Sequence, residues 1–318
     1  QKKNRPGRRA GLLEIKPEGR FVLGVELTVH GLSGVLMNLL GEVVKSEEIS
    51  FGAKAGREEI LNSLKKLVTS LLSFSPEVCR AGLGFVDPGL VDFKQGVSLY
   101  STILPSWKNV PIKKLLEETY HLPVVLSNSE QAKAMAERWF GQARGVDDFV
   151  FIEYGEGIAC GIFARGQPVR GGQSIAGELG HTRIMGEAIR CRCGRQGCLE
   201  ALCCWPVLRT LREKGDRKKL EQRLQYLAVT IGNLANILNP SLIILDRNFL
   251  SLGETEAESL IRAIKEEILP EERSLLEVTV SKLGPQIGAL GGAASVLEEL
   301  FATGFELKTL PVKAQEEA

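Results

Sequence analysis

Two stretches of this chain share one layout, and that duplication restricts the possible folds more than any other feature. Residues 21–51, FVLGVELTVHGLSGVLMNLLGEVVKSEEISF, read as three short strands with glycine-marked turns near Gly31 and Gly41. Residues 149–172, FVFIEYGEGIACGIFARGQPVRGG, repeat the order of strand, glycine turn, strand, turn and short strand. After the first unit, Ile60, Leu61, Leu64, Leu67, Val68 and Leu71 recur at helical spacing. A strand is expected at 81–86, a helix at 112–120, a strand at 123–126 and a helix from Ser129. In the second half, Leu220, Leu224, Leu227, Ile231, Leu234 and Leu238 keep one stripe on a helix over 216–238 that Asn239-Pro240 stops. A strand at 242–245, a helix at 254–268, a strand at 278–281 and a helix at 286–300 complete the pattern. Repeated hairpin-plus-helix units in this alternation predict two α/β lobes with a cleft between them. Ligands of such folds sit in the cleft, at strand ends and glycine turns.

At 318 residues and 44% hydrophobic, the chain can bury two ordinary cores. A net charge of +1 gives the body no global attraction for nucleic acid or an anionic membrane. No apolar run approaches a membrane span and no signal peptide is visible, so no membrane partner is expected. The seven cysteines, read as free thiols, suit a reducing compartment, and the cytoplasm is expected. The amino end, QKKNRPGRR, is basic, carries Pro6 and Gly7 and lacks apolar periodicity, which reads as a linker or arm. With Gln1 in first place, the chain is expected to be a fragment whose first domain has been removed.

His181, Cys191, Cys193 and Cys198 crowd into the run GELGHTRIMGEAIRCRCGRQGCLEA. Imidazole nitrogen and thiolate sulfur are the ligands tetrahedral zinc prefers, and a closed set of four marks a structural site. Gly194 and Gly197 let the chain turn tightly enough for the sulfurs to face one point. Cys79, Cys160, Cys203 and Cys204 are read as small buried hydrophobes. Glu178 and Glu200 bracket the cluster.

With this segment read, the chain resembles the ROK family, which groups sugar kinases with sugar-responsive repressors. The stretch GELGH, a spacer and CRCGRQGCLE is close to the family signature, while GLVDFKQGVSLYSTILPSW and HLPVVLSNSEQAKAMAE agree in register. The resemblance implies an α/β, actin-like (ribonuclease H-like) two-lobed ATPase-type fold with a zinc-binding loop. It implies a linker over 1–20, an N-terminal lobe over 21–128 completed by a helix at 286–305, and a C-terminal lobe over 129–285 with the zinc loop at 178–200. It implies His181, Cys191, Cys193 and Cys198 as zinc ligands, and Asn128, Glu178, His181 and Glu200 as sugar contacts. In that dual role one His181 nitrogen holds metal and the other presents a fixed donor. Carboxylates at 178 and 200 can accept from vicinal hydroxyls, or else only shield the metal loop.

The kinase half of the family fits less well. Phosphoryl transfer needs a base at the accepting hydroxyl and a glycine cradle for phosphates. Family kinases carry Asn-Asp where this chain has Asn128-Ser129, and a serine hydroxyl is too weak a base to replace a carboxylate. Glu130, one residue on, is expected to project about 100° away on the helix. Thr28 and Val29 stand in place of phosphate-approaching glycines, Glu156 and Ala159 interrupt the second glycine motif, and Asp246-Arg247 replace a glycine pair. Ile103 stands where family kinases carry a sugar-contacting asparagine. On these grounds no catalytic residue and no enzyme activity are expected. The expected role is the effector-binding and oligomerisation body of a carbohydrate-gene repressor, a homodimer or homotetramer that meets DNA through a missing N-terminal winged helix-turn-helix domain. Its effector would be a sugar or sugar phosphate: a pentose, an amino sugar or a phosphorylated sugar. The alternatives are a stand-alone sugar-binding pseudokinase or an active ATP-dependent sugar kinase.

Overall fold

The structure, a computed structural model, describes residues 15–303 apart from 53 and 272, so the basic amino-terminal arm QKKNRPGRR lies outside the described residues. Its first sheet begins with β1 (Phe21–Leu27), β2 (Gly31–Asn38) and β3 (Val43–Ser50), an antiparallel meander. Helix α1 (Arg57–Leu72) leads to β4 (Arg80–Asp87), which lies parallel to β1. Three short strands then form a separate sheet: β5 (Leu90–Asp92), β6 (Val97–Tyr100) and β7 (Lys108–Val110). After α2 (Ile112–Tyr120), β8 (Val124–Asn128) adds to β4 in parallel and completes the order β3-β2-β1-β4-β8. Helix α3 (Ser129–Phe140) crosses to the second sheet.

That sheet repeats the plan. The meander is β9 (Phe149–Tyr154), β10 (Ile158–Ala164) and β11 (Gln167–Pro168). There follow α4 (Leu199–Cys203), α5 (Trp205–Glu213), α6 (Arg217–Leu238), β12 (Leu242–Leu245), α7 (Glu254–Glu266), β13 (Glu277–Val280) and α8 (Ile287–Thr303). Strands β12 and β13 run parallel to β9, and the order β11-β10-β9-β12-β13 mirrors the first sheet strand for strand. The duplication seen in the sequence is a duplication of sheets.

Strand alternation divides each sheet into two faces. In the first, Leu23, Val25, Leu36, Leu83 and Phe85 meet Ile60, Leu64, Leu67 and Leu71 of α1, while Val22, Val35, Met37 and Ala81 meet Ala289, Ala293, Val296 and Leu297 of α8. In the second, Val150, Ile152, Ile243 and Leu245 pack with Leu227 and Ile231 of α6 and with Leu260 and Ile264 of α7; Phe149, Phe151, Phe163, Leu242 and Ile244 meet Ala134 of α3. Strands covered on both faces are apolar along most of their length, and in β1 and β9 the hydrophobic run is broken only near the cleft end, by Glu26 and Glu153.

Helices α3 and α8 lie against each other at the junction of the sheets. Glycine makes this approach possible: a Cβ on Gly291 would stand 1.8 Å from the Ala132 carbonyl oxygen, and one on Gly84 would stand 2.0 Å from the Gly292 carbonyl oxygen. Because backbone cannot step aside cheaply, Gly291→Ala should lower stability by about 1–3 kcal/mol. The check is urea unfolding: the midpoint should fall while the slope stays constant. An unchanged midpoint would mean that the helices separate without cost.

Candidate functional site

The cleft between the sheets has a volume of about 510 Å³ and draws its lining from distant parts of the chain. Strand β1 contributes Glu26 near its end, with Thr28 and His30 beyond; Asn128 ends β8; Ser129, Glu130 and Lys133 begin α3. Glu153 and Gly155–Gly157 come from the β9–β10 hairpin, and Glu178, His181 and Glu200 close the far side. Pro88, Gly89, Tyr100 and Ile103 form a less polar wall. That wall is braced by Asp87, which is fully buried and accepts from the Trp107 indole Nε1–H at 2.8 Å and from the Gly89 amide at 2.9 Å. Burial raises the Asp87 pKa, and these donors only partly oppose it.

All four sugar contacts implied by the resemblance line this one cleft. Asn128 is only 9% exposed and caps α3 in extended conformation. Its Nδ2 donates to the Glu130 carboxylate, and its Oδ1 is buried with no partner. Glu178 directs Oε2 to within 3.7 Å of His181 Nε2. Glu200 sits in the first turn of α4, held at 3.7 Å from the Arg192 guanidinium.

The other face of the His181 ring meets the cysteines. Its Nδ1 lies 3.8 Å from Cys191 Sγ, Cys193 Sγ lies 3.7 Å from Cys198 Sγ, and all four ligand atoms fall within 4.8 Å of one another. Tetrahedral zinc with bonds of about 2.3 Å to sulfur places its ligands roughly 3.8 Å apart, so the cluster has the dimensions of a metal site. Hydrogen bonding from the Arg195 backbone amide lowers the Cys193 pKa, which favours the thiolate that a metal requires. The loop is stitched by the Ile184 amide to the Gly197 carbonyl and by the Leu199 amide to the Thr182 carbonyl. Gly194 and Gly197 both adopt positive φ, at 91° and 74°. Of the remaining cysteines, Cys160, Cys203 and Cys204 are buried and Cys79 is partly so.

The cleft floor holds a network that sequence reasoning missed. Lys133 Nζ lies 2.7 Å from Glu153 Oε1 and 3.4 Å from Asp246 Oδ2, and the Ser129 hydroxyl donates to the same Glu153 oxygen at 2.6 Å. Burial by itself would lower the Lys133 pKa; the Glu153, Asp246 and Glu26 carboxylates outweigh it and raise it. Glu26 is pushed up to about 7, chiefly by burial, with Lys133 opposing. Glu130 is pushed up to about 8, again chiefly by burial, with the Glu153 charge adding to it.

Known proteins share this fold. The model of the ROK family matches residues 22–299. The chain belongs to the ROK family. A xylose repressor of Caldicellulosiruptor bescii is 26% identical over 94% of this chain and 84% of its own length. A glucokinase of Thermotoga maritima is 28% identical over 87% of this chain and 97% of its own length. Among solved structures, a ROK hexokinase from Thermus thermophilus superposes with a TM-score of 0.76 at 24% identity, covering 88% of this chain and 99% of that one. The actin-like sugar kinase fold of the ROK family is therefore the fold of this chain.

The kinase relatives overturn the expectation that this ROK protein is not an enzyme. Glu130, expected from helical periodicity to project away, also lines the cleft: α3 begins at Ser129, and residues 129 and 130 both belong to the lining. Carboxylates at Glu26, Glu130 and Glu153 share the floor with Ser129. No described helix is long and apolar enough to cross a membrane.

Proposed function

We propose that this chain is the sugar-sensing, effector-binding body of a ROK-family repressor of carbohydrate genes. The observation that carries the reading is the convergence of Asn128, Glu178, His181 and Glu200 on one cleft between two lobes, in a chain alignable with a xylose repressor along nearly its whole length. One lobe comprises residues 21–128 with α8 (Ile287–Thr303), and the other residues 129–285. Sugar hydroxyls donate to Glu178, Glu200 and the unpartnered Asn128 Oδ1, while His181 Nε2 contacts the sugar. A structural zinc on His181 Nδ1, Cys191, Cys193 and Cys198 holds that ring and the flanking glutamates in place. A sugar bridging the lobes favours one angle between them, and in a homodimer or homotetramer that angle sets the separation of attached DNA-reading domains.

Isothermal titration with D-xylose and D-glucose tests this reading. Saturable binding is expected, and Glu200→Gln should weaken it about tenfold, roughly 1.4 kcal/mol, by removing a charged acceptor. Absence of binding to every monosaccharide tried would sink the proposal, and equal affinity in Glu200→Gln would remove Glu200 from the site.

A second reading, an ATP-dependent sugar kinase, is favoured by the carboxylates at Glu26, Glu130 and Glu153 on the cleft floor. Sugar-dependent ATP turnover distinguishes it from the first.

A further inference from the structure

The inner end of the sugar cleft offers hydrogen-bond acceptors with no positive charge to match them. The Asn128 amide is oriented by its donation to Glu130, which leaves its Oδ1 buried and unpartnered in a residue that lines the cleft. The Glu130 carboxyl, 7% exposed, has no cation within ion-pair distance among the described residues. Nearby cations are already engaged, Lys133 with Glu153 and Asp246 and Arg192 with Glu200, and the His181 ring lies between Glu178 and Cys191. Six acidic side chains line the cleft (Glu26, Glu130, Glu153, Glu156, Glu178 and Glu200), against the cations Lys133 and Arg195.

Such a surface repels an anionic phosphate and leaves a place for a group that brings several donors and a positive charge. We propose that Glu130 is a specificity-determining residue, and that with Asn128 Oδ1 it selects a sugar carrying a free amino group as its ammonium. This inference rests on the sugar-binding reading above and names the class of sugar. An ammonium supplies three N–H donors, enough to satisfy Asn128 Oδ1 and a Glu130 oxygen together, whereas a hydroxyl supplies one. In a buried setting the ion pair gains more than it would in water, provided both partners are hydrogen-bonded. Burial and the neighbouring Glu153 and Glu178 charges disfavour the ionised Glu130 carboxyl in the empty cleft, and an incoming cation relieves both effects. N-acetylation removes the charge and two of the donors, so the acetamido sugar loses the advantage.

The test is titration calorimetry on the whole chain at neutral pH with D-glucosamine, N-acetyl-D-glucosamine, D-glucose, D-xylose and D-glucose 6-phosphate, repeated on Glu130→Gln. D-Glucosamine should bind at least about tenfold more tightly than D-glucose or its N-acetyl derivative, and D-glucose 6-phosphate least tightly. Glu130→Gln should abolish the preference for the amine, bringing the D-glucosamine and D-glucose affinities of the variant to within about threefold of each other. Equal affinity of the wild-type chain for D-glucosamine and D-glucose would overturn the proposal and leave sugar binding intact. A preference that survives in Glu130→Gln would overturn the role of that residue. Failure of every sugar to bind would instead remove the sugar-binding reading on which this one stands. The wild-type comparison decides the sugar class even if the variant does not fold.

Discussion

Replacing Lys133 with methionine should cost this protein about 3–5 kcal/mol of stability at neutral pH, the range for removing one partner of a buried ion pair. The ammonium is 2.7 Å from Glu153 and 3.4 Å from Asp246, and its side chain is only 12% exposed. Methionine matches the length and packing of the lysine stem, so the variant removes charge with little change in volume. What remains is a floor of carboxylates, Glu26, Glu153 and Asp246, with no counter-ion inside it. The loss should depend on pH in a definite direction. Glu26 already has its folded pKa raised from 4.5 to about 7, so the folded state binds the proton more tightly than the unfolded chain. Its contribution is fully present below 4.5 and is lost as pH rises through about 7. Without Lys133 that pKa rises further, and stability should fall steeply between about pH 5 and about pH 7. Urea midpoints at the two pH values check this. A variant as stable as the wild type at both would show that the network contributes nothing net.

Stripping the metal should disable the sugar cleft and loosen the loop in a single event. The segment from Glu178 to Glu200 has few apolar anchors apart from Cys191, Cys198 and the residues leading into α4. Its remaining attachments are a handful of backbone hydrogen bonds and Glu187, which accepts from Arg223 at 2.7 Å and from Tyr226 at 2.9 Å. In such a segment a metal bound by four residues supplies most of the order, because the free energy of binding becomes free energy of folding. Chelator-treated protein and Cys193→Ser should therefore become sensitive to trypsin at the exposed arginines 183, 190, 192 and 195. Sugar affinity should drop by about tenfold or more in the same preparations, since His181, Glu178 and Glu200 lose their positions together. Readdition of zinc should restore both in the chelated wild type. Normal sugar binding by metal-free protein would refute the dual role of His181.

Sequence alone determined the features that are local. Apolar period placed α1, α6 and the strands of both meanders, because burial on one face or two leaves its mark within a few residues. The cluster at His181, Cys191, Cys193 and Cys198 was legible for the same reason: all four residues lie in one loop, and short spacing with two glycines is enough to bring them together. The sheet made by β5, β6 and β7 was not legible, since strands of three or four residues carry too little alternation to stand out. Tertiary structure decided the contents of the cleft floor. Glu26, Lys133, Glu153 and Asp246 come from β1, α3, β9 and the residue after β12, and they meet only because parallel strands end side by side. No spacing in the chain encodes that encounter. The aim of Glu130 depended likewise on where α3 starts and on how Gly161 lets it lie against β10, where a Cβ would come within 2.3 Å of the Glu130 carbonyl oxygen. Periodicity gives the angle between neighbouring side chains on a helix. Only packing against the sheets orients the helix itself, and with it the Glu130 carboxyl that lines the cleft.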